Sequence, residues 1–295
     1  MAFNIKITAQ GPVLFTDEEL EDVKAVEETL KEMNSVTLRA LIRNKAHNLD
    51  NQMQRYFLNP ERTSIVMANT RKTLRFALDA WEKRGYGTNK ADVDYAYDSL
   101  RRGEEFDGSP VYQLSTPHEP FNENDLKAVE RAIFDRRSVR RFSDKDVPDH
   151  ILDKVLEAGT WAPNACSVQG PRFIVVRNPE TKKLTIQPWA APVLVVGCVD
   201  ERPYEIIEGA ELPYAPIIDL ATAIQNMHLM AQALGLGMTI GTFIGEIDLF
   251  RQALEIPDYI KPTSYFVLGW PLDKPTRVPR MELEEFVSRE KWGGE

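Results

Sequence analysis

The pattern of this chain predicts an α+β protein whose first part is helical and whose second part is built round a sheet. Three observations predict it. Apolar residues recur at helical spacing through most of the region before residue 103, short β-branched runs at 173–176, 192–199 and 265–268 come only afterwards, and a long apolar helical run at 219–234 lies among them. Period 3.6 marks a helix with one buried face, while a brief apolar run between turn signals marks a strand. With 295 residues and 43% hydrophobic content, the chain is long enough for a sizeable core, as one large domain or two.

The elements follow in order. Thr16-Asp17-Glu18-Glu19 reads as a capping box, with Thr16 as N-cap and Glu19 three positions on, and predicts a helix to about Met33. Ser35 is expected to cap the next helix, which carries Leu38, Leu41, Ile42, Ala46, Leu49, Met53 and Phe57. A third follows Pro60, with Ile65, Leu74, Ala77, Leu78 and Trp81, and stops at Gly85-Tyr86-Gly87. A fourth, with Val93, Tyr95, Ala96 and Leu100, is expected to end at Gly103. Pro110, Pro117 and Pro120 make 108–122 an irregular linker. The expected division is therefore an all-helical N-terminal extension, 1–120, and a second unit, 121–295.

In that second unit Leu126, Val129 and Ile133 line one helix face, and Ile151, Leu152, Val155, Leu156 and Ala158 another. A loop of small and polar residues, 162–170, leads into 173–176, which reads as a buried strand. Gly235-x-Gly237-x-x-x-Gly241 looks like a dinucleotide fingerprint, but such a loop follows a strand and opens a helix, and here the glycines follow a helix. There is no Walker-type lysine motif either. A further strand, Tyr265 to Gly269, closes on Gly269-Trp270-Pro271.

A formal charge of −9 argues against a nucleic-acid partner or an acidic membrane surface. No stretch reaches the roughly 18 apolar residues of a membrane span, and the N-terminus has no apolar core of signal-peptide length. The two cysteines, Cys166 and Cys198, are too few for a disulfide framework, so a cytoplasmic setting is expected. The four histidines stand apart from other ligand-type residues, and no metal site is expected. Glu201, Glu205, Glu208 and Glu211 read as a solvated acidic face.

Against that acidic background, Arg136-Arg137-Ser138-Val139-Arg140-Arg141-Phe142 stands out. Guanidinium forks match phosphate oxygens and a hydroxyl adds a donor, so the cluster suits a small phosphorylated ligand. Followed by the Ala162-Pro163-Asn164-Ala165 loop with Gln169, and then by the Phe173-Ile174-Val175-Val176 strand, it resembles the nitroreductase-like FMN flavoproteins. These include nitroreductases, flavin reductases, iodotyrosine deiodinase and the dehydrogenases of azole-forming pathways. The resemblance runs from about Asn122 to the C-terminus and implies a central, mostly antiparallel sheet flanked by helices. It departs from the usual pattern at Asn164, Ser167 and Pro171, where the family tends to have Ser, Asn or another polar residue, and Trp.

The resemblance implies a homodimer with two FMN sites at its interface. Arg136, Ser138 and Arg280 would hold the phosphate and ribityl oxygens, with Arg137 beside them and Arg140 near the flavin N1 and O2. Pro163, Asn164, Ala165, Cys166, Ser167 and Gln169 would reach the partner's flavin, Thr239 and Ile240 would lie against the ring, and Gly241 and Thr242 would donate to N5 and O4. Arg141 is expected at the surface. The implied activity is an FMN-dependent oxidoreductase reduced by NAD(P)H and passing electrons to a nitroaromatic or quinone-like acceptor. The alternatives are an FMN-dependent dehydrogenase or reductive dehalogenase with one dedicated substrate, and a non-catalytic flavin-binding sensor. Trp189, Tyr204 and Tyr214 are candidate pocket residues for a flat aromatic substrate. Only 178–190 separates two strands where relatives carry lid helices, so either the N-terminal helices or the 202–216 loop is expected to replace the lid.

Overall fold

A computed structural model describes residues 6–8, 11–109, 119–184, 191–207, 213–241 and 247–293. The first part is helical apart from a short antiparallel pair, β1 (Lys6–Thr8) with β2 (Gly11–Val13). The Thr16 capping box forms, since Glu19 N reaches Thr16 Oγ1 at 3.3 Å and Thr16 N reaches Glu19 Oε2 at 2.9 Å. It opens only a 3-10 turn, Glu19–Glu21, and the Glu19 carboxylate also accepts from Lys6 Nζ at 2.5 Å. The helix proper, α1 (Val23–Glu32), starts later, with Asp22 as its cap.

Helix α2 (Ser35–Arg55) is capped by Asn34, whose Oδ1 accepts from Val36 N and Thr37 N, so the cap lies one residue before the expected serine. Helix α3 (Pro60–Lys83) is followed by Gly85 and Gly87, both at positive φ as a helix stop requires. Helix α4 (Ala91–Glu105) runs through Gly103. That glycine is not a stop but a close crossing, since a Cβ there would lie 2.7 Å from Leu49 Cδ2 of α2.

In the second part, α5 (Glu123–Phe134) buries no residue, and Leu126, Val129, Ile133 and Phe134 all face outward. Helix α6 (Asp149–Thr160) packs Leu152, Val155 and Gly159 toward α8 (Ala215–Ala233). Strands β3 (Pro171–Val176), β4 (Val193–Asp200), β5 (Gly237–Gly241) and β6 (Ile260–Gly269) form one antiparallel sheet in the order β3-β4-β6-β5. One expectation is corrected here: the 173–176 run is an edge strand with only Val176 fully buried. The glycine string, which follows α8, lies in β5, entered through a left-handed Gly235. Between β3 and β4 the described residues hold one helical turn, α7 (Pro179–Lys182), as the short span implies. Helices α9 (Ile247–Ala253) and α10 (Leu283–Phe286) complete the set among the described residues.

The sheet separates two apolar clusters. One face, with Val139, Phe142, Leu194, Cys198, Phe250 and Tyr265, forms the smaller. The other joins α6, α8, Val193, Val195 and Phe266 to Leu30, Leu38, Leu41, Leu74, Leu78 and Leu100 of the N-terminal helices in one continuous core. No described helix is long and apolar enough to cross a membrane, and no described group of His, Cys, Asp or Glu could hold a metal ion.

Candidate functional site

The arginine segment is placed by the sheet. Ser138 bridges Met238 of β5 in parallel, with Val139 N donating to Met238 O at 3.2 Å. A Cβ on Gly237 would lie 2.6 Å from Val139 Cβ, so this approach requires the glycine. Farther on, Ser143 N donates to Trp270 O at 2.9 Å and Leu272 N to Arg141 O at 3.1 Å. The segment is thus held between β5 and the exit of β6, and the chain after Pro271 brings Arg277 and Arg280 to the same place.

The result is a cavity of about 490 Å³ lined by Arg136, Arg137, Ser138, Arg140, Arg277 and Arg280 among others. Among the described residues, none of these five arginines is ion-paired to a carboxylate, although Arg141 next door pairs with Asp273 at 2.8 Å. Arg136 Nη1 and Arg137 Nε are buried without a hydrogen-bond partner. Burial, then Arg280 and Arg137, pull the Arg136 pKa down, which is the signature of cations crowded together with no counter-charge. Behind them on α8, the buried His228 has an unpartnered Nε2 and is pushed down to about 4, by burial first and then by Arg136. Buried donors left unmet are costly, and a dianionic phosphate satisfies several at once. The residues present therefore fit a phosphate group.

Farther along β5 come Thr239, Ile240 and Gly241. Thr239 is buried, Ile240 is 43% exposed, and a Cβ at Gly241 would meet the Tyr265 ring at 2.4 Å. Thr242 lies outside the described residues, as does Trp189.

The 162–170 loop lies elsewhere. Its residues line two other cavities, of about 260 and 380 Å³, and none lines the arginine cavity of the same chain. Cys166, Ser167 and Gln169 have φ of 50°, 58° and 55°, left-handed for residues that are not glycine. Asn164 Oδ1 closes the loop by accepting from Gln169 N at 3.0 Å, and Thr222 Oγ1 reaches Pro163 O at 3.1 Å. Asp219 Oδ1 accepts from Ala165 N at 2.9 Å and its Oδ2 from Tyr204 Oη at 2.8 Å. Tyr204 is therefore a supporting residue, its hydroxyl already engaged, whereas Tyr214 is 75% exposed at the larger of the two cavities. The Cys166 thiol is raised by burial and Asp219, with buried Lys45 opposing.

From the other side, α2 reaches the same loop. Arg43 Nη2 donates to Val168 O at 2.7 Å and Nε to Ser167 O at 3.3 Å, while Asn44 Nδ2 donates to Cys166 O at 3.2 Å. The sequence reading missed Arg43, Asn44, Asp219 and His228. The signal was there: Arg43-Asn44-Lys45 interrupts the most apolar stretch of α2, and Asp219 and His228 sit in an apolar helix, where polar residues are buried only with partners.

Fold and site together define an α+β protein prepared for a small phosphorylated ligand. Comparison with known proteins carries this further. The model of the Nitroreductase family matches residues 133–192 and 186–270. A Methanothermobacter thermautotrophicus protein named for NADH dehydrogenase/NAD(P)H nitroreductase activity is 32% identical over 174 residues, 56% of this chain and 87% of that one. The FMN reductase (NAD(P)H) of Bacillus subtilis is 29% identical over 187 residues, 57% of this chain and 75% of its own. Among solved structures, the hypothetical oxidoreductase YcnD of Bacillus subtilis is similar, with a TM-score of 0.50, 28% identity, and coverage of 56% of this chain and 74% of that chain. The chain belongs to the nitroreductase family. Helices α1 to α4 lie outside the residues matched by the family model.

Proposed function

We propose that this protein is an FMN-dependent oxidoreductase, reduced by NAD(P)H and passing electrons to an organic acceptor such as a nitroaromatic or a quinone. The observation that carries the reading is the arginine cavity, with five guanidinium groups, no ion-paired carboxylate among the described residues, and two buried nitrogens without a partner. When bound, FMN supplies hydride and electron transfer at its ring, and the protein supplies binding, orientation and electrostatics. Arg136, Ser138 and Arg280 hold the phosphate and ribityl oxygens, with Arg137 and Arg277 adding charge. Arg140 places a fixed cation at the pyrimidine end, where negative charge is favoured by a neighbouring cation. Thr239 and Ile240 back the ring, and Gly241 offers a donor at its reactive edge.

Pro163, Asn164, Ala165, Cys166, Ser167 and Gln169 wall the flavin held by the partner subunit of a homodimer. The dimer is supported by the outward apolar face of α5 and by exposed Ile217 and Ile218 on α8. The division into a helical unit, 1–120, and a flavin unit, 121–295, belongs to the same reading. So does a cytoplasmic location, supported by two free cysteines. A flat aromatic substrate suits the cavity lined by Tyr214, Ile218 and Pro163. The short span between β3 and β4, in which the described residues hold the one turn of α7, favours one dedicated substrate as the second reading.

Two measurements test the reading. FMN, and not FAD, is expected in the supernatant of the denatured protein, and anaerobic NADH or NADPH is expected to bleach the bound flavin. Absence of flavin after reconstitution would remove the basis of the proposal, and bound FMN that neither nucleotide reduces would leave the dedicated-substrate dehydrogenase or dehalogenase and the sensor.

A further inference from the structure

We infer that α2 braces the 164–169 loop in its working conformation, with Arg43 and Asn44 as positioning residues for the flavin chemistry. The inference rests on the reading of that loop as a wall of the flavin site. Three of its residues, none of them glycine, are left-handed, a conformation that L-residues leave unless the surroundings over-determine it. The surroundings here are specific. Carbonyls of three consecutive residues, Cys166, Ser167 and Val168, turn toward α2 and accept from Asn44 and from both Nε and Nη2 of Arg43.

Arg43 is itself held. Its remaining nitrogen, Nη1, donates to Asp92 Oδ2 of α4 at 3.1 Å, and Arg39 grips the same carboxylate through Nε at 2.8 Å and Nη2 at 2.6 Å. The residue is only 7% exposed, so it cannot be a solubilising charge. A helix whose sole task was packing would carry apolar residues there, because a buried cation is tolerated only where its partners are in place. From the opposite side Asp219 of α8 fixes Ala165 N. The loop is therefore stretched between two helices, with one side supplied by helices that the family model does not cover.

The test uses the full-length, FMN-loaded protein. Arg43→Ala removes three donors, whereas Asn44→Asp keeps the shape and volume of the side chain and exchanges the donor facing Cys166 O for a carboxylate oxygen, so it remains informative if the first variant fails to fold. Arg43→Lys retains the charge without the fork, and Leu49→Ala is a control that weakens the same helical core without touching the loop. In Arg43→Ala and Asn44→Asp, hydrogen exchange in the peptide covering 164–170 is expected to accelerate by about tenfold, as for loss of one charge-assisted or buried hydrogen bond. The visible circular dichroism of bound FMN is expected to shift. The kcat for benzoquinone reduction is expected to fall by about tenfold, with KM changing less. Arg43→Lys should restore part of each signal, and Leu49→Ala should lower Tm alone.

Unchanged exchange in both variants would overturn the brace. So would Leu49→Ala reproducing the flavin signal, which would reduce the effect to general stability. Accelerated exchange with wild-type dichroism and kcat would show a braced loop that is not a flavin wall, and would overturn the positioning role. Failure of the wild type to bind FMN would overturn the proposed function itself, while the exchange comparison would still decide the brace.

Discussion

Arg136 and Arg141 are five positions apart and chemically identical, yet the sheet gives them different work. Arg136 is turned into the cavity with a buried nitrogen unmet, and Arg141 is turned out onto Asp273. Arg136→Ala is expected to weaken FMN binding by about 1.5–3 kcal/mol, the usual range for a charge-assisted contact, and Arg141→Ala to leave it nearly unchanged, as flavin fluorescence titration will show. His228 offers a second expectation. Its pKa lies near 4 in the fold, against 6.5 for the unperturbed side chain. The unfolded chain therefore binds the proton first, so its contribution is intact above pH 6.5 and is lost as pH falls toward 4, by about 3 kcal/mol. Urea denaturation of flavin-free protein should show a shallower acid loss in His228→Leu. The two glycines near the loop separate a soft neighbour from a hard one. A Cβ at Gly159 would meet the end of the unbranched Met227 side chain, with Ala223 O at 3.3 Å, whereas at Gly170 it would meet the Tyr204 ring at 2.1 Å, a ring tied to Asp219. Gly170→Ala is expected to cost about 1–3 kcal/mol and Gly159→Ala far less, compared by thermal melts. Arg136 was legible in the sequence because its chemistry is written into a local motif. Arg43 was not, because what makes it matter is a carbonyl 125 positions away.

At the scale of elements, helices declared themselves through periodicity and strands through β-branched runs, but ends and exposures did not follow. The Thr16 box forms where expected but opens a 3-10 turn, and the helix proper starts at Val23. Gly103 reads as a stop and is a crossing point, which depends on Leu49 from another helix. The stripe of α5 reads as a core face, and in the single chain Leu126 is 50% exposed. An amphipathic helix left uncovered in this way calls for a partner surface, and a second copy is the occupant proposed above. Leu126→Glu combined with Val129→Glu is expected to convert the proposed dimer into a monomer by light scattering and to lower FMN affinity with it.

For the whole molecule, the decisive fact is the continuity of the larger core. Leu38, Leu41 and Leu78 of the helical unit share one cluster with Leu152, Val195 and Phe266 of the sheet unit. Two units that share a core unfold together, and a single calorimetric transition is expected for the full chain. Two resolved transitions would mean that the helices fold on their own account. The sequence shows where the chain changes character, near residue 120, but not that the two pieces interpenetrate, because burial between distant segments leaves no local pattern.

The pairing of Ser138 with Met238 ties the arginine cluster to a definite point on β5, and Gly241 lies three residues farther along that strand. At a rise of about 3.4 Å per residue, the two ends of the proposed site stand on the order of 10 Å apart along one rigid element. Such a strand is a ruler. On the proposed site, a cofactor analogue with a shortened side chain would satisfy the anion end or the ring end but not both, a selection by length as well as by charge.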